Sequence, residues 1–277
     1  MKSFVLIKQV PDQSAKAGIN PDGTIDRAKA KRMLNPFDRY ALEAALHTKR
    51  QYGATVTAIT MGPPPAIEIL YEAIAHGVDY AVLLSDRRLA ASDTLATAYA
   101  LSQTVRYVSQ WQGDFSLIFC GLQTTDGDTA QVGPQLAERL GVPQVTYCES
   151  FAVEGEALVA RRAIEGGSQT VTCSLPAVLT IANSAQRLAY KTLRGARQVQ
   201  HLMRDEAARQ EVIRTVTLDD IGADPNRCGL KGSPTIVAAT EKVAEIGGNC
   251  RILQGRPIPT MVQDLLQHVP LNELSRA

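Results

Sequence analysis

Hydrophobic positions in the first half of the chain alternate between short continuous runs and helical stripes. The short runs end at polar residues or glycine and predict β-strands at residues 4–8, 54–60, 80–84 and 115–120. The helical stripes predict helices at residues 36–52, 66–76 and 94–108, with a further helix beginning near 129–131. Strands that alternate with helices form a covered parallel sheet, so the pattern predicts an α/β fold with a Rossmann-like parallel sheet and helices on both faces.

Capping residues support the predicted helix starts. Asn35 suits the N-cap and Pro36 the first helical position, while Gly53 suits the residue after the helix. Ser92 and Asp93 precede the long helix in the same way. Capping alone is a sufficient reason for these residues, so a role in ligand binding needs further support.

The pattern changes after Gly141. Strand-like segments follow at residues 142–147, 151–164, 170–174 and 177–181. The second of these alternates around Gly155 as a β-hairpin does. We therefore expect a β-hairpin region added to the parallel sheet.

The last quarter of the chain has weak periodicity up to a final helix predicted at residues 259–268. A segment this long without a regular pattern is usually disordered or wrapped around another protein, and its interspersed Ile, Val and Leu favour wrapping. We therefore expect an α/β domain over residues 1–207 and an extended C-terminal arm over residues 208–277.

Composition and charge exclude several classes of protein. Hydrophobic residues make up 45% of the chain and charged residues 21%, as in ordinary globular proteins. The net charge of +1 lacks the basic excess typical of nucleic-acid binding, so no nucleic-acid partner is expected. No apolar stretch reaches the roughly 20 residues that cross a bilayer. Residues 1–8 resemble a strand more than a signal peptide, so we expect a cytoplasmic protein without membrane insertion.

The cysteines and histidines are too scattered to predict a metal site. None of the five cysteines forms a C-x-x-C pair, which argues against the usual zinc and iron–sulfur spacings. We expect free and mostly buried thiols. The four histidines lie on predicted helices or at their ends, where structural roles are expected. The sequence therefore predicts neither a metal ligand set nor a catalytic side chain.

The most informative segment is the polar loop that follows the fourth predicted strand. Its sequence, from Gly121 to Pro134, is GLQTTDGDTAQVGP. A strand that ends at glycine before a polar loop and a helix offers backbone N–H groups and a helix N-terminus to a phosphate. Asp126 and Asp128 lack the further acidic residue of an EF-hand loop, so calcium is not expected. Because the first and second strands end at the same edge, the sequence predicts a nucleotide site there.

The order of these motifs resembles the beta subunit of electron transfer flavoprotein, particularly its electron-bifurcating type. The resemblance rests on Asn35-Pro-Phe-Asp38, Met61-Gly-Pro63, the segment from Asp126 to Pro134, and Gly229-Leu-Lys-Gly-Ser-Pro-Thr235 near the C-terminus. It covers nearly the whole chain. It implies a heterodimer in which residues 1–207 bind an adenine nucleotide and residues 208–277 wrap an alpha subunit that carries FAD.

The resemblance also implies which residues surround the cofactor. Thr94 and Thr97 would lie nearer the flavin ring, and the other residues would surround the nucleotide. The expected cofactor-binding residues are Leu6, Asn35, Pro36, Phe37, Asp38, Met61, Thr94, Thr97, Gly121, Gln123, Thr125, Asp126, Gly127, Asp128, Thr129, Ala130, Gln131 and Val132.

Two cofactors remain open for this site. In the simpler version of the family the site holds AMP with a structural role, and in the bifurcating version it holds a second FAD. The segments Ser85-Asp-Arg87 and Ser92 to Thr97 favour FAD, with AMP as the alternative. Leu122 stands where the family usually has a basic residue, a change that would make a nearby flavin harder to reduce.

Residues 183–197 resemble the loop on which dehydrogenase partners dock. The segment lacks the family's usual proline–arginine pair, and Ala185 replaces a larger apolar anchor. The expected function is therefore electron transfer between a dehydrogenase and an acceptor, with bifurcation as a possible extension. The alternative is a non-redox, adenine-nucleotide-binding sensor or stress-type α/β protein, which would need no partner-wrapping arm. A dinucleotide-dependent dehydrogenase is disfavoured because no early G-x-G-x-x-G motif is present.

Overall fold

A computed structural model describes residues 1–12, 32–236 and 253–268 of the chain. The chain divides into two compact units, Met1–Ile236 and Val237–Ala277. The first unit contains the sheet and the second contains a helix; each is described by itself.

The strands of the first unit form one large sheet and one short ribbon. In chain order the strands of the described residues are β1 (Lys2–Leu6), β2 (Gln9–Pro11), β3 (Arg32–Leu34), β4 (Thr55–Met61), β5 (Tyr80–Leu84), β6 (Leu117–Gly121), β7 (Gln144–Glu154), β8 (Ala157–Ile164), β9 (Gly167–Ser174), β10 (Ala177–Ile181) and β11 (Ile213–Val216). The sheet has nine strands in the order β11-β5-β4-β1-β6-β10-β7-β8-β9, and β2 pairs with β3 separately.

The large sheet is parallel from β11 to β7 and antiparallel beyond. Strand β1 lies at the centre of the parallel part, paired with β4 on one side and with β6 on the other. Strand β7 is parallel to β10 and antiparallel to β8, which pairs in turn with β9. The predicted parallel sheet and the added hairpin region are thus confirmed.

Helices cover both faces of the sheet. In chain order they are α1 (Asp38–Tyr52), α2 (Ile67–His76), α3 (Thr94–Gln112), α4 (Val132–Leu140), α5 (Leu193–Arg204) and α6 (Glu206–Val212). One apolar layer contains buried residues of α1, α2 and α5, among them Leu42, Ile74 and Leu202. The opposite layer contains buried residues of α3 and α4, among them Val105 and Leu136. The alternating apolar pattern therefore builds two hydrophobic layers around one sheet.

Strand β11 is an element that the sequence pattern missed. It is only four residues long, and it pairs in parallel with β5 at the edge of the sheet. Ile213 and Val216 are buried, and so are Leu218 and Ile221 just beyond them. A short edge strand gains its stability from pairing and burial, which leave little periodicity in the sequence. The assignment of residues 208–277 as an arm around a partner stays a prediction.

The second unit contains the helix α7 (Ile258–His268), which confirms the predicted final helix. Several of its apolar side chains are exposed, including Ile258, Val262 and Leu265.

Cysteine chemistry agrees with expectation where the structure describes it. Cys120, Cys148, Cys173 and Cys228 are free thiols; Cys250 lies outside the described residues.

No described helix is both long enough and apolar enough to cross a membrane.

Candidate functional site

The carboxyl ends of the three central strands meet at one edge of the sheet. Leu6 ends β1, Met61 ends β4 and Gly121 ends β6. Strand β4 pairs with β1 on one side, and the later strand β6 pairs with β1 on the other side. The direction in which strands are added to the sheet therefore reverses at β1. A crevice at such a topological switch point is where open α/β sheets bind their ligands.

Asn35 joins the start of α1 to the loop after β6. It is fully buried. Its Nδ2 donates to the carbonyl oxygen of Gln123 at 2.8 Å, and its Oδ1 accepts from the N–H of Thr125 at 3.3 Å. The prediction that Asn35 caps α1 is wrong: the helix begins at Asp38, with Phe37 at the N-cap. The amide reaches across to the neighbouring loop because that loop offers it both an acceptor and a donor.

Asp38 is a buried carboxyl group directly beneath this edge. Its Oδ2 accepts from the backbone N–H of Lys8 at 2.7 Å. Burial raises the pKa of Asp38 to about 7, although hydrogen bonds from Asn35, Lys8 and Gly121 act in the opposite direction. A carboxyl group with a pKa near neutrality, at the start of a helix that packs against the ends of two central strands, is uncommon outside functional sites.

Gly121 allows the end of β6 to approach the start of α1 closely. A Cβ at this position would lie 2.2 Å from Oδ1 of Asp38 and 2.8 Å from the carbonyl carbon of Phe37. Both distances are shorter than any ordinary contact, so only glycine fits here. The glycine that ends the strand is thus needed for packing of strand against helix.

The loop from Leu122 to Gln131 carries the two predicted carboxylates. Asp126 pairs with the ammonium group of Lys8, with 2.7 Å between Nζ and Oδ2. Asp128 accepts from Nε2 of Gln123 at 3.0 Å. Asp128 and Ala130 have positive φ angles of 49° and 55°, so the backbone turns sharply just before α4. Sequence reasoning missed Lys8, although its place directly after β1 was a usable signal.

Helix α4 begins at this loop without a side-chain cap. Its N-cap residue, Gln131, makes no capping hydrogen bond through its side chain. Gly133 brings the helix against β10, since a Cβ there would lie 2.5 Å from Cγ2 of Thr180. The first N–H groups of a helix attract anions when no side chain caps them.

The start of α3 lies next to α4. Asp93 accepts from the N–H of Ala96 at 2.9 Å, which confirms that it caps α3. Nε2 of Gln135 donates to the hydroxyl of Thr94 at 3.2 Å, while Oε1 of Gln135 is buried without a hydrogen-bond partner. Gln135 is a second residue that sequence reasoning missed.

The segment Gly229 to Thr235 packs against the start of α3. The N–H of Gly229 donates to the hydroxyl of Ser92 at 3.0 Å, and the hydroxyl of Thr235 donates to Asp93 at 2.8 Å. Gly229 has a φ of 59° and lies close to the carbonyl of Arg88, where a Cβ would be 2.1 Å from the oxygen. This motif therefore holds the N-terminus of α3 within the first unit.

The predicted cofactor residues belong to the elements that meet at this edge, and they fall into three levels of exposure. Leu6, Asn35 and Asp38 are buried, so they support the edge from below. The residues from Asp126 to Thr129 and Gln131 are exposed. Half-buried between these levels are Pro36, Phe37, Met61, Thr94, Thr97, Gly121, Gln123, Thr125, Ala130 and Val132. Gly127 lies at the tip of the loop. Direct contact of each residue with a cofactor stays a prediction.

A second surface lies around residues 183–197, the predicted docking segment. The side chain of Tyr190 is 99% exposed and that of Leu193 is 71% exposed. Helix α5 is capped by Thr192, and Gly195 approaches the end of α2 so closely that a Cβ would lie 2.1 Å from the carbonyl oxygen of Ala75. The segment therefore presents exposed Tyr190 and Leu193 beside a helix that packs closely against α2.

The fold and the site together define an α/β protein with a polar loop and a helix N-terminus at the switch point of a parallel sheet. The family model for the electron transfer flavoprotein domain matches residues 22–221. Protein FixA of Bradyrhizobium diazoefficiens is 43% identical over 241 residues, which cover 86% of this chain and 81% of that protein.

Other relatives also carry names of electron transfer subunits. The acryloyl-CoA reductase electron transfer subunit gamma of Anaerotignum propionicum is 42% identical, over 85% of this chain and 86% of that protein. The electron transfer flavoprotein subunit beta of Clostridium acetobutylicum is 40% identical over 270 residues, 97% of this chain and 96% of that protein. The chain belongs to the electron transfer flavoprotein family, and its relatives are beta subunits and FixA proteins. The sensor-type alternative is not favoured.

Proposed function

We propose that this chain is the beta subunit of a heterodimeric electron transfer flavoprotein and binds an adenine nucleotide at the carboxyl edge of its sheet. The observation that carries the proposal is the uncapped N-terminus of α4 behind the polar loop after β6. The hydroxyl of Thr129 and the amide of Gln131 stand beside it, both exposed. A phosphate group fits such a donor set because helix dipole, N–H groups and hydroxyl all favour negative charge.

We propose that the two carboxylates of the loop do not bind the phosphate. Asp126 and Asp128 repel phosphate, and each already has a partner in Lys8 or Gln123. Asp126 keeps the loop folded over the end of β1, and Asp128 is available to accept hydrogen bonds from ribose or adenine. These roles hold the nucleotide through its sugar and base.

FAD is the nucleotide we propose, with AMP as the alternative in the same place. Bound FAD supplies the one- and two-electron chemistry, which the protein tunes and places. Thr94 and Thr97 begin α3 beside α4 and are proposed to face the larger cofactor. The similarity to an electron transfer subunit of acryloyl-CoA reductase and to FixA supports a bifurcating type of flavoprotein.

The proposed function implies two protein partners. We propose that residues 208–277 wrap an alpha subunit, which the exposed apolar side chains of α7 support. A dehydrogenase is proposed to dock near residues 183–197, where Tyr190 and Leu193 are exposed. The complex is proposed to work in the cytoplasm.

Co-purification of the chain with its alpha subunit, followed by counting of the released nucleotides, tests the proposal. Two FAD per heterodimer would support a second flavin in this chain and bifurcation. One FAD with one AMP would leave this chain a structural and docking role. A heterodimer that contains no nucleotide beyond the FAD of the alpha subunit would refute the site.

A substitution tests the residue assignment. Asp128→Ala should lower the nucleotide occupancy of the co-purified heterodimer. Asp114→Ala is the matched control, because Asp114 is an exposed aspartate that precedes β6 rather than following it. Equal occupancy in the two variants would contradict the role given to Asp128.

A further inference from the structure

A cationic groove lies between α3, α4 and the short turn Pro225–Arg227, away from the first turn of α3. Its volume is about 270 Å³. The groove is lined by Tyr99, Ser102, Gln103, Arg106, Arg139 and Arg227. The proposed nucleotide site takes none of these six side chains.

Two of the three arginines of this groove are held in place by hydrogen bonds to neutral acceptors. Arg106 donates to the carbonyl oxygen of Arg139 at 2.9 Å and to Oε1 of Gln103 at 2.7 Å. Arg139 donates to the carbonyl oxygen of Leu95 at 3.2 Å. These bonds fix the guanidinium groups without neutralising their charge.

The ring of Tyr99 contacts two of these guanidinium groups. Cζ of Arg227 lies 3.9 Å from the ring centroid, and Cζ of Arg139 lies 5.4 Å from it. The hydroxyl of Tyr99 accepts from the N–H of Asp224 at 2.9 Å, which anchors the turn that carries Arg227. Stacking on an aromatic ring leaves the edges of a guanidinium group free to donate.

No carboxylate is among the described residues that line this groove. Within the described part of the chain, no carboxylate forms an ion pair with Arg106, Arg139 or Arg227, whereas arginines such as Arg39 and Arg88 do have carboxylate partners. Burial lowers the pKa of Arg139, and the charge of Arg227 lowers it further. Nε of Arg139 is buried without a hydrogen-bond partner. Converging cations cost free energy unless an anion joins them.

We propose that this groove is a binding site for a small oxyanion of the phosphate class. Guanidinium groups bind phosphate and carboxylate oxygens through paired, charge-assisted hydrogen bonds. The groove is concave and has room for inorganic phosphate or for the phosphate end of a small metabolite. An acidic side chain of the alpha subunit would present the same chemistry, and the experiment separates the two sources.

The experiment is calorimetric titration of the co-purified heterodimer with inorganic phosphate, at constant ionic strength and with chloride as the comparison anion. We expect saturable binding that Arg227→Gln weakens by about tenfold, the loss of one charge-assisted contact. Arg227 is the residue to change because, within the described residues, its guanidinium group stacks on Tyr99 and makes no hydrogen bond or ion pair. Arg214→Gln is the matched control, since Arg214 also stacks on an aromatic ring, 3.7 Å from the centroid of Trp111, but outside the groove.

The outcomes separate clearly. Phosphate binding that Arg227→Gln weakens and Arg214→Gln leaves unchanged supports the proposal. Absence of phosphate binding overturns it, and so does equal binding by both variants. A heterodimer that ignores phosphate but dissociates more readily with Arg227→Gln would assign the groove to an acidic side chain of the alpha subunit instead.

Discussion

Polar groups at the two edges of the parallel sheet differ in how deeply they are buried. At the amino edge, Lys49 and Asp79 form an ion pair of 2.6 Å, and both side chains are about one-third exposed. Asp79 also accepts from the N–H of Val56 at 2.9 Å. At the carboxyl edge, by contrast, Asn35 and Asp38 are buried, and burial raises the pKa of Asp38 to about 7.

The difference shows at which edge the fold loses free energy by burying polar groups. Half-exposed ion pairs contribute little and need no further explanation. Burying a carboxyl group so that its pKa rises to about 7 costs free energy, and proteins keep such groups mainly at sites of function. The comparison therefore separates a structural edge from a binding edge, and the following substitutions test it.

Gly121→Ala should have the largest effect. The added Cβ would lie 2.2 Å from Oδ1 of Asp38 and close to backbone atoms of Phe37 that cannot move aside. We expect a loss of about 3 kcal/mol in the free energy of unfolding, measured by chemical denaturation. Gly167→Ala is the control, because a Cβ there meets nothing within 4 Å. Equal losses in both variants would contradict the close approach at the carboxyl edge.

The pH dependence of stability should depend on Asp38. Burial raises the pKa of Asp38 from its ordinary value of 3.8 to about 7, so between these values the folded chain keeps a proton that the unfolded chain releases. The free energy of unfolding therefore falls as the pH rises through this window. Asp38→Asn, which carries no titrating proton, should remove that fall, as followed by denaturation at several pH values.

Asp220→Asn is the control for this pH profile. The Thr217 hydroxyl lowers the pKa of Asp220, so any contribution of Asp220 is lost only as the pH falls toward the acid range. The profile of the control should match the unmodified chain from neutral pH down to about 4. If Asp38→Asn and the unmodified chain showed the same slope, Asp38 would have an ordinary pKa.

Asp93→Ala should have an intermediate effect. Asp93 caps α3 at the carboxyl edge and also accepts from Thr235, so two groups of donors lose their acceptor. We expect a loss of about 1 to 2 kcal/mol in the free energy of unfolding. Asp205→Ala removes the cap of α6 at an exposed position, where among the described residues only the N–H of Ala208 donates to the carboxylate, and it should cost less. A larger loss for Asp205→Ala would reverse the ranking of the two caps.

Lys8→Ala should have the smallest effect on stability and the most selective effect on binding. The Lys8–Asp126 pair is half-exposed, so its loss should cost less than about 1 kcal/mol. Nucleotide occupancy should nevertheless fall, because Asp126 loses the contact that holds the loop over β1. Lys49→Ala breaks a similarly exposed pair at the amino edge and should leave occupancy unchanged. Equal occupancy in both variants would remove the distinction between the edges.

Much of the fold could be predicted from the sequence because its long elements carry strong periodicity. The strands β1, β4, β5 and β6 and the helices between them match the apolar pattern. Strand β11 was missed because pairing with β5 stabilises it. Helices α5 and α6 were missed because most of their residues are polar, charged or small, and only Gly195 and Leu202 of α5 and none of α6 are buried.

The candidate site shows the same division between local pattern and long-range contact. The loop at Gly121 to Val132 could be located because glycine, aspartate and threonine follow an apolar strand. The cap at Asn35 was predicted wrongly because its amide bonds to Gln123 and Thr125, about ninety positions further along the chain. No local pattern encodes such a contact.

The sequence alone determined the alternation of strand and helix, the polar loop after β6 and the resemblance to a family, because these depend on residues close together in the chain. Tertiary structure decided which groups are buried and what they bind. Asp38 is an ordinary aspartate in the sequence, and only the packing of β1, β6 and α1 removes it from water and raises its pKa. The arginine groove likewise exists only because α3, α4 and the turn at Arg227 meet in space.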